Sequence, residues 1–341
     1  METVCIDGSS GEGGGQVLRT SLALSCITGK SLHIENIRAA RRNPGLAKQH
    51  LMCVQAACGI SNGRCQGAAL GSGVLDFQPG AVQSGDFLFR IGSAGSASLV
   101  IQTVLPALFF ADKPSRVTVT GGTHNPLAPP FDFLCETFLP AIATAGFQGD
   151  CKLIKHGFYP AGGGQISFDT RPWQQKHQQV INLCEPGREF QINAWIYTAK
   201  LPAHIARRQK ELLLQSGLDI QKVEHIEAVD SDGPGNCVMI RLCDGGTTVF
   251  TSFGMKGKPS QKVVREVVDL ASDFLAGGVA VDRFLADQIL VYMALSKAGR
   301  FTTNELSSHL LTNIEVIKKF LPVNFDVDRQ KQIYTISCQP C

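Results

Sequence analysis

The 341-residue sequence lacks any run of about 20 apolar residues, so no segment reads as a helix able to span a bilayer. Excess charge is also missing. The 32 basic and 29 acidic side chains leave a net charge of only +3, too small to mark the whole chain as a nucleic-acid binder. With 44% apolar and 18% charged residues, the composition is that of an ordinary globular protein, long enough for two domains. One local absence carries more information. Residues 36–75 contain no Asp or Glu but do contain Arg38, Arg41, Arg42, Lys48 and Arg64, a +5 stretch. Such a stretch either faces phosphates or is a solvated face balanced by acids elsewhere in space. No signal-peptide pattern precedes the first predicted strand, Thr3-Val4-Cys5-Ile6. Of the twelve cysteines, Cys26, Cys53, Cys58 and Cys135 fall in apolar helical patterns, where a free thiol packs as a small hydrophobe. The expected compartment is therefore the reducing cytoplasm. Cys338-Gln339-Pro340-Cys341 has no second pair at metal-site spacing and is expected to be a frayed tail.

What is present is glycine, in clusters that sit between strands and helices. Gly8-Ser9-Ser10-Gly11-Glu12-Gly13-Gly14-Gly15-Gln16 follows the first strand and feeds an amphipathic helix carrying Val17, Leu18, Leu22, Leu24 and Ile27, closed by Gly29. A glycine-rich turn at a helix N-terminus lets backbone N–H groups approach a phosphate. The spacing matches neither the dinucleotide fingerprint nor the P-loop. Glu12 sharpens the reading, because a carboxylate beside a phosphate is repelled unless a divalent cation lies between them. Strand, glycine turn and helix recur at Gly92-Ser93-Ala94-Gly95-Ser96 before a helix over 97–110, and at Gly121-Gly122-Thr123-His124 before a helix over 131–145. Gly162-Gly163-Gly164-Gln165 echoes the first loop with Ala161 where Glu12 stood, which reads as a degenerate internal repeat.

The chain divides into three stretches. A polar segment from Trp173 through Gln179 marks a boundary, giving a core over 1–184 and an inserted α/β unit over 185–278. The core resumes over 279–341. Asp230-Ser231-Asp232-Gly233-Pro234-Gly235 in the insert is too short for an EF-hand and reads as a surface loop. After it, a helix over 283–298 is interrupted near its start by Asp287 and Gln288. That polar pair either caps the helix or sits beside a nucleotide, with Phe284 supplying a flat face. In Ser307-Ser308-His309-Leu310-Leu311-Thr312-Asn313, Asn313 is the expected N-cap of a last helix bearing Glu315, Lys318 and Lys319 and stopped by Pro322. His309 is then expected in a loop or strand end just before that helix.

The motifs occur together in one order. They are Gly11 through Gln16 with Arg19; Ile37-Arg38-Ala39 with Arg41; Pro44-Gly45-Leu46 with Gln49-His50; and Ile91 through Ser96 with Gln102. Gly121-Gly122-Thr123 through Ala128-Pro129-Pro130, His156-Gly157-Phe158-Tyr159-Pro160, Leu285-Ala286-Asp287-Gln288 and His309-Leu310-Leu311-Thr312-Asn313 complete the set. In this order they resemble the RNA 3′-terminal phosphate cyclase family over nearly the whole chain. The resemblance implies an α/β (α+β) fold of repeated small four-stranded sheets with two helices each, as in enolpyruvyl transferases, plus a smaller inserted domain. It implies an ATP-dependent ligase in which His309 attacks the α-phosphorus of ATP, forming a covalent histidine–AMP. AMP then passes to an RNA 3′-phosphate, and the 2′-OH closes a 2′,3′-cyclic phosphate.

Carried over by position, Gln102, Pro129, Phe284, Leu285, Ala286, Asp287 and Gln288 would line the ATP site, and Glu12 would hold Mg2+ or Mn2+. Side-chain chemistry adds Arg19 on the ATP phosphates, and Arg38, Arg41, Arg42 and Gln49 at the RNA end. Phe284 stands where relatives often carry a polar aromatic, so stacking survives and a hydrogen bond is lost. Two other classes compete with this reading. One is a non-catalytic cyclase-like RNA-processing factor of ribosome biogenesis, expected to have lost the nucleophile. The other is an enolpyruvyl transferase, which needs no histidine–nucleotide bond.

Overall fold

The computed structural model describes residues 2–174 and 180–341; the polar boundary residues 175–179 lie outside the described residues. The first unit contains β1 (Thr3–Asp7), α1 (Gly15–Thr28), β2 (Ser31–Glu35), α2 (Lys48–Ser61), β3 (Arg64–Gln66) and β4 (Leu75–Gln78). Its sheet order is β1-β2-β4-β3, with β1 parallel to β2 and the other pairs antiparallel. A parallel pair needs a crossover, and α1 supplies it. The second unit repeats the plan with β5 (Asp86–Arg90), α3 (Ala97–Leu108), β6 (Ser115–Gly121), a π-helical turn (Phe133–Phe138), α4 (Leu139–Ala143), β7 (Gly149–Lys155) and β8 (Gly164–Thr170). Its order is β5-β6-β8-β7.

The third unit begins at β9 (Asn182–Leu183), and the insert follows at once: β10 (Gln191–Ala199), α5 (Ala203–Leu214), β11 (Ile220–Glu227), β12 (Gly235–Cys243), β13 (Thr247–Phe253) and α6 (Ser260–Gly277). These strands make a separate sheet, β11-β10-β12-β13, over a core of its own that includes Ile196, Val238, Ile240, Val267 and Phe274. The third unit then finishes with α7 (Arg283–Gln288), α8 (Leu290–Ser296), β14 (Gly299–Thr303), α9 (Ser308–Phe320), β15 (Val323–Gln330) and β16 (Ile333–Pro340). β9 pairs in parallel with β14, and the order β15-β16-β14-β9 reproduces the plan a third time. The fold is thus mixed α/β, built from small four-stranded mixed sheets with their helices, as expected.

Four local expectations need correction. The echo at Gly162-Gly163-Gly164-Gln165 is not a copy of the first loop, because it joins two antiparallel strands and Gln165 lies in β8. The equivalent of the first loop in the repeat is the β5–α3 turn. The tail is not frayed: β16 runs to Pro340, pairs with β15 and buries Cys338. The helix expected over 283–298 breaks at Ile289, where the carbonyl of Asp287 accepts a hydrogen bond from the Asn313 side chain (2.7 Å). Likewise, the helix expected over 131–145 opens with the π-helical turn.

α1 is buried on nearly every side, from Gln16 and Val17 to Cys26, and packs against α2, α3 and α9. A helix surrounded in this way is ordinarily apolar all round. Polar residues on it must find partners or cost roughly 1–3 kcal/mol each in lost hydrogen bonding. Gln16 and Thr20 are such residues, one helical turn apart, and their partners lie in the third unit.

Candidate active site

The site forms where α1, α3, α7 and α9 meet. α9 begins earlier than expected: Ser307 is the N-cap, its hydroxyl accepting from Leu310 N (3.1 Å). His309 therefore stands in the first turn of the helix rather than in a preceding loop. Asn313 is no cap but an interior residue, and it faces Thr20, whose hydroxyl donates to Asn313 Oδ1 (2.7 Å). His309 and Asn313 are one turn apart, as are Gln16 and Thr20. The two helices are thus joined by two polar rungs.

In the other rung, His309 Nδ1 lies 2.7 Å from Gln16 Oε1, and Gln16 Nε2 donates to Asp287 Oδ2 (2.8 Å). The imidazole is half exposed, with Glu12 Oε2 at 3.8 Å. Partial burial, with the charges of Arg19 and Arg41, lowers the pKa of His309 from the ordinary histidine value and so favours the neutral, nucleophilic form. Burial pushes Asp287 up to about 7, with Gln16 and Arg19 opposing and Asp282 adding to the rise.

The glycine loop brings in the rest. Gly11 has φ +62°, and a Cβ there would lie 2.1 Å from Thr312 Oγ1. That close approach lets Thr312 Oγ1 accept from Glu12 N (2.9 Å) and ties the loop to α9. A Cβ on Gly15 would meet His50 Nε2 at 2.3 Å and Arg19 Nη1 at 2.8 Å, so glycine makes room for both. Glu12 has a buried side chain and is paired with Arg41, while its Oε2 has no hydrogen-bond partner. Arg19 has no carboxylate within ion-pair distance among the described residues. Burial, together with Arg19, Arg38 and Arg41, drives His50 down to about 3, so it is a neutral ring beneath three cations. Nothing in the local pattern gave His50 this setting, because it depends on three arginines spread over two segments.

The remaining expected residues fall into groups. Gln102 on α3 donates to Gln288 on α7, and Gln288 in turn donates to Phe284 O (2.6 Å). Phe284 is 39% exposed, and the Arg283 guanidinium lies 4.8 Å over its ring. Leu285 and Ala286 are buried in the core, which leaves their side chains out of contact with solvent. Arg38, with φ +54°, donates to Gly45 O (2.7 Å). Gln49 accepts from Ser96 N (2.6 Å), bracing α2 against the second unit's glycine turn. No hydrogen bond or ion pair among the described residues joins Pro129 or the exposed Arg42 to the group.

An arrangement of one half-exposed histidine, Arg19 without a carboxylate partner among the described residues, and a lone buried carboxylate oxygen is suited to holding a polyphosphate against a nucleophile. No cluster of three or more His, Cys, Asp or Glu able to hold a metal occurs among the described residues. The donor set nevertheless fits a hard cation that takes one protein carboxylate, Glu12, and completes its shell with phosphate oxygens and water. No helix among the described residues is long and apolar enough to cross a membrane.

A model of the RNA 3′-terminal phosphate cyclase family matches residues 10–327. The chain is 44% identical to the RNA 3′-terminal phosphate cyclase of Koribacter versatilis over 333 residues, covering 97% of this chain and 93% of that protein. It is 42% identical to the enzyme of the same name from Pseudomonas fluorescens over 341 residues, covering 99% and 98%. A third, from Ralstonia nicotianae, is 43% identical over 335 residues, covering 98% and 96%.

Proposed function

The chain belongs to the RNA 3′-terminal phosphate cyclase family, and from that premise we propose that it is an ATP-dependent cyclase acting through a covalent histidine–AMP on His309. The observation that carries the reading is the environment of His309. Its Nδ1 is engaged by Gln16, no hydrogen bond among the described residues engages Nε2, and Arg19 and Arg41 lie close enough to lower its pKa and to receive phosphate charge.

In the first step Nε2 attacks the α-phosphorus of ATP and pyrophosphate leaves. The N-terminus of α9 faces the forming charge, which helix-end N–H groups favour. Gln102, Gln288 and Asp287 meet the adenosine, Phe284 and Pro129 flank its base, and the backbone of Leu285 and Ala286 supports them. Glu12, through its unpartnered Oε2, would hold a divalent cation, Mg2+ or Mn2+, which would offset phosphate charge. In the second step AMP passes to the 3′-phosphate of an RNA end held by Arg38, Arg42 and Gln49; Arg41, expected there from the sequence, is assigned instead to the ATP side because it pairs with Glu12. This transfer provides the leaving group that a phosphate monoester lacks. The neighbouring 2′-OH then closes the cyclic phosphate and expels AMP; being intramolecular, that closure draws on proximity.

Residues 1–184 and 279–341 form the catalytic core in this reading, 185–278 an inserted domain outside the chemistry, and the working compartment is the cytoplasm. The test is incubation with α-labelled ATP and metal, without RNA. An acid-labile label is expected on the native protein and absent from His309→Ala. Label retained by that variant would overturn the assignment.

A further inference from the structure

We propose that Gln16 is a positioning residue for the nucleophile: held by Asp287, it fixes His309 as the Nδ1–H tautomer and so leaves the Nε2 lone pair free. This deepens the proposed function and rests on it for the identity of the attacking atom.

The Gln16 group that faces Asp287 Oδ2 at 2.8 Å is its NH2, so the amide donates there and the carboxylate accepts. The other end of the same planar amide is then necessarily the carbonyl oxygen, and it faces His309 Nδ1 at 2.7 Å. A carbonyl cannot donate. The proton must therefore sit on Nδ1, and in a neutral ring Nε2 carries the lone pair. Glu12 Oε2 is 3.8 Å from Nδ1, outside hydrogen-bond reach, and the other oxygen of that carboxylate is paired with Arg41. Burial pushes Asp287 up, and Gln16 itself and Arg19, on the same helix, oppose that push and so favour the carboxylate that this orientation of the amide calls for. The parallel rung from Thr20 to Asn313, and from Asn313 to Asp287 O, holds α1, α7 and α9 in register, so the amide cannot slide away from either partner.

The tautomer matters because imidazole in water prefers the Nε2–H form, in which the wrong nitrogen carries the lone pair. In the step itself, the Nε2 lone pair forms the bond to the α-phosphorus. The bond from that phosphorus to the bridging oxygen breaks, and pyrophosphate keeps the electron pair. The Nδ1 proton stays on the ring, where Gln16 Oε1 accepts from the resulting imidazolium. A ring that keeps this proton is also the better leaving group when AMP moves on, because its electron pair returns to a neutral histidine.

The test is long-range proton–nitrogen correlation on the full chain labelled with [15N]histidine, without nucleotide, the His309 signals being those lost in His309→Ala. The expected pattern is Nδ1–H with a bare Nε2. Gln16→Met, which keeps the bulk and loses the acceptor, should move His309 toward Nε2–H and lower label uptake from α-labelled ATP ten-fold or more. Gln16→Glu, whose carboxylate still accepts, should retain the Nδ1–H pattern. An unchanged tautomer in Gln16→Met, or a changed tautomer with undiminished uptake, would overturn the proposal. If Gln16→Met does not fold, Gln16→Ala, which also lacks a side-chain acceptor, gives the same reading. Failure of the native protein to take up label would strike the proposed function alone, since the tautomer is measured without ATP.

Discussion

Two histidines of this molecule, His309 and His124, both lie in glycine- or serine-flanked motifs and both are held by hydrogen bonds, yet their surroundings are opposites. His124 is fully buried, and both ring nitrogens are used. Nε2 donates to Asp132 Oδ2 (2.8 Å), and Nδ1 takes the hydroxyl of Thr123 (2.8 Å). Around it stack His156, Phe158 and Tyr197, with ring centroids 5.3–5.5 Å away. Burial works against the charge of Asp132, but His124, Arg241 and Tyr197 together hold its pKa below the ordinary carboxylate value. Arg241 and Tyr197 come from the inserted sheet, so this ion cluster fastens the insert to the second unit. His309 has a neutral amide as its partner, cations for neighbours and one nitrogen left over. A histidine with both nitrogens consumed holds a fold together; one with a nitrogen to spare can do chemistry.

The sharpest way to break this comparison is to cut the His124 cluster. Arg241→Ala leaves the buried Asp132 and the part-buried Glu136 without their shared cation, a loss worth about 3–5 kcal/mol for a buried pair. Denaturant unfolding should show that drop, whereas label uptake per folded molecule should stay within about two-fold of native. Uptake falling as far as in His309→Ala would erase the distinction between the two histidines.

A smaller effect is expected at Arg41. Burial, Arg19 and Arg41 all depress the pKa of His309. Removing one cation therefore raises it, and it also frees Glu12, 3.8 Å away, to favour the protonated ring. In Arg41→Ala the acid limb of self-adenylylation should move to higher pH. The rate deficit relative to native should then be greater at pH 6 than at pH 8, where the ring is neutral in both. A limb that stays put would mean that Arg41 does not govern the ring. The smallest effect belongs to Arg42→Ala, whose side chain is exposed: uptake from ATP is expected within about two-fold of native, with the loss confined to transfer onto a 3′-phosphorylated oligonucleotide. A collapse of uptake in this variant would place Arg42 with the triphosphate instead.

The chain announced its chemistry more readily than its geometry. Glycine turns, Glu12 and His309 are readable because each is unusual in its local context. The start of α9 was misplaced because Ser307 and Asn313 are both good N-caps, and only the tertiary partners Thr20 and Asp287 decide between them. The role of Gln16 was hidden for the same reason: its two partners are 271 and 293 residues away. The His124 cluster was likewise out of reach, since Asp132, Tyr197 and Arg241 come from three separate elements. Local patterns report what a residue can do; burial on α1 and α9 determines which partner it must find.

The bond between Glu12 N and Thr312 spans 300 positions, and the one between Gln16 and His309 spans 293. During synthesis, then, the glycine loop and α1 emerge about 300 residues before the helix that satisfies them. Until α9 docks, Gln16 lacks one of its two partners and Thr20 lacks Asn313, so the buried polar face of α1 is completed by a late element. His309 likewise acquires its orientation only when that helix meets the first one.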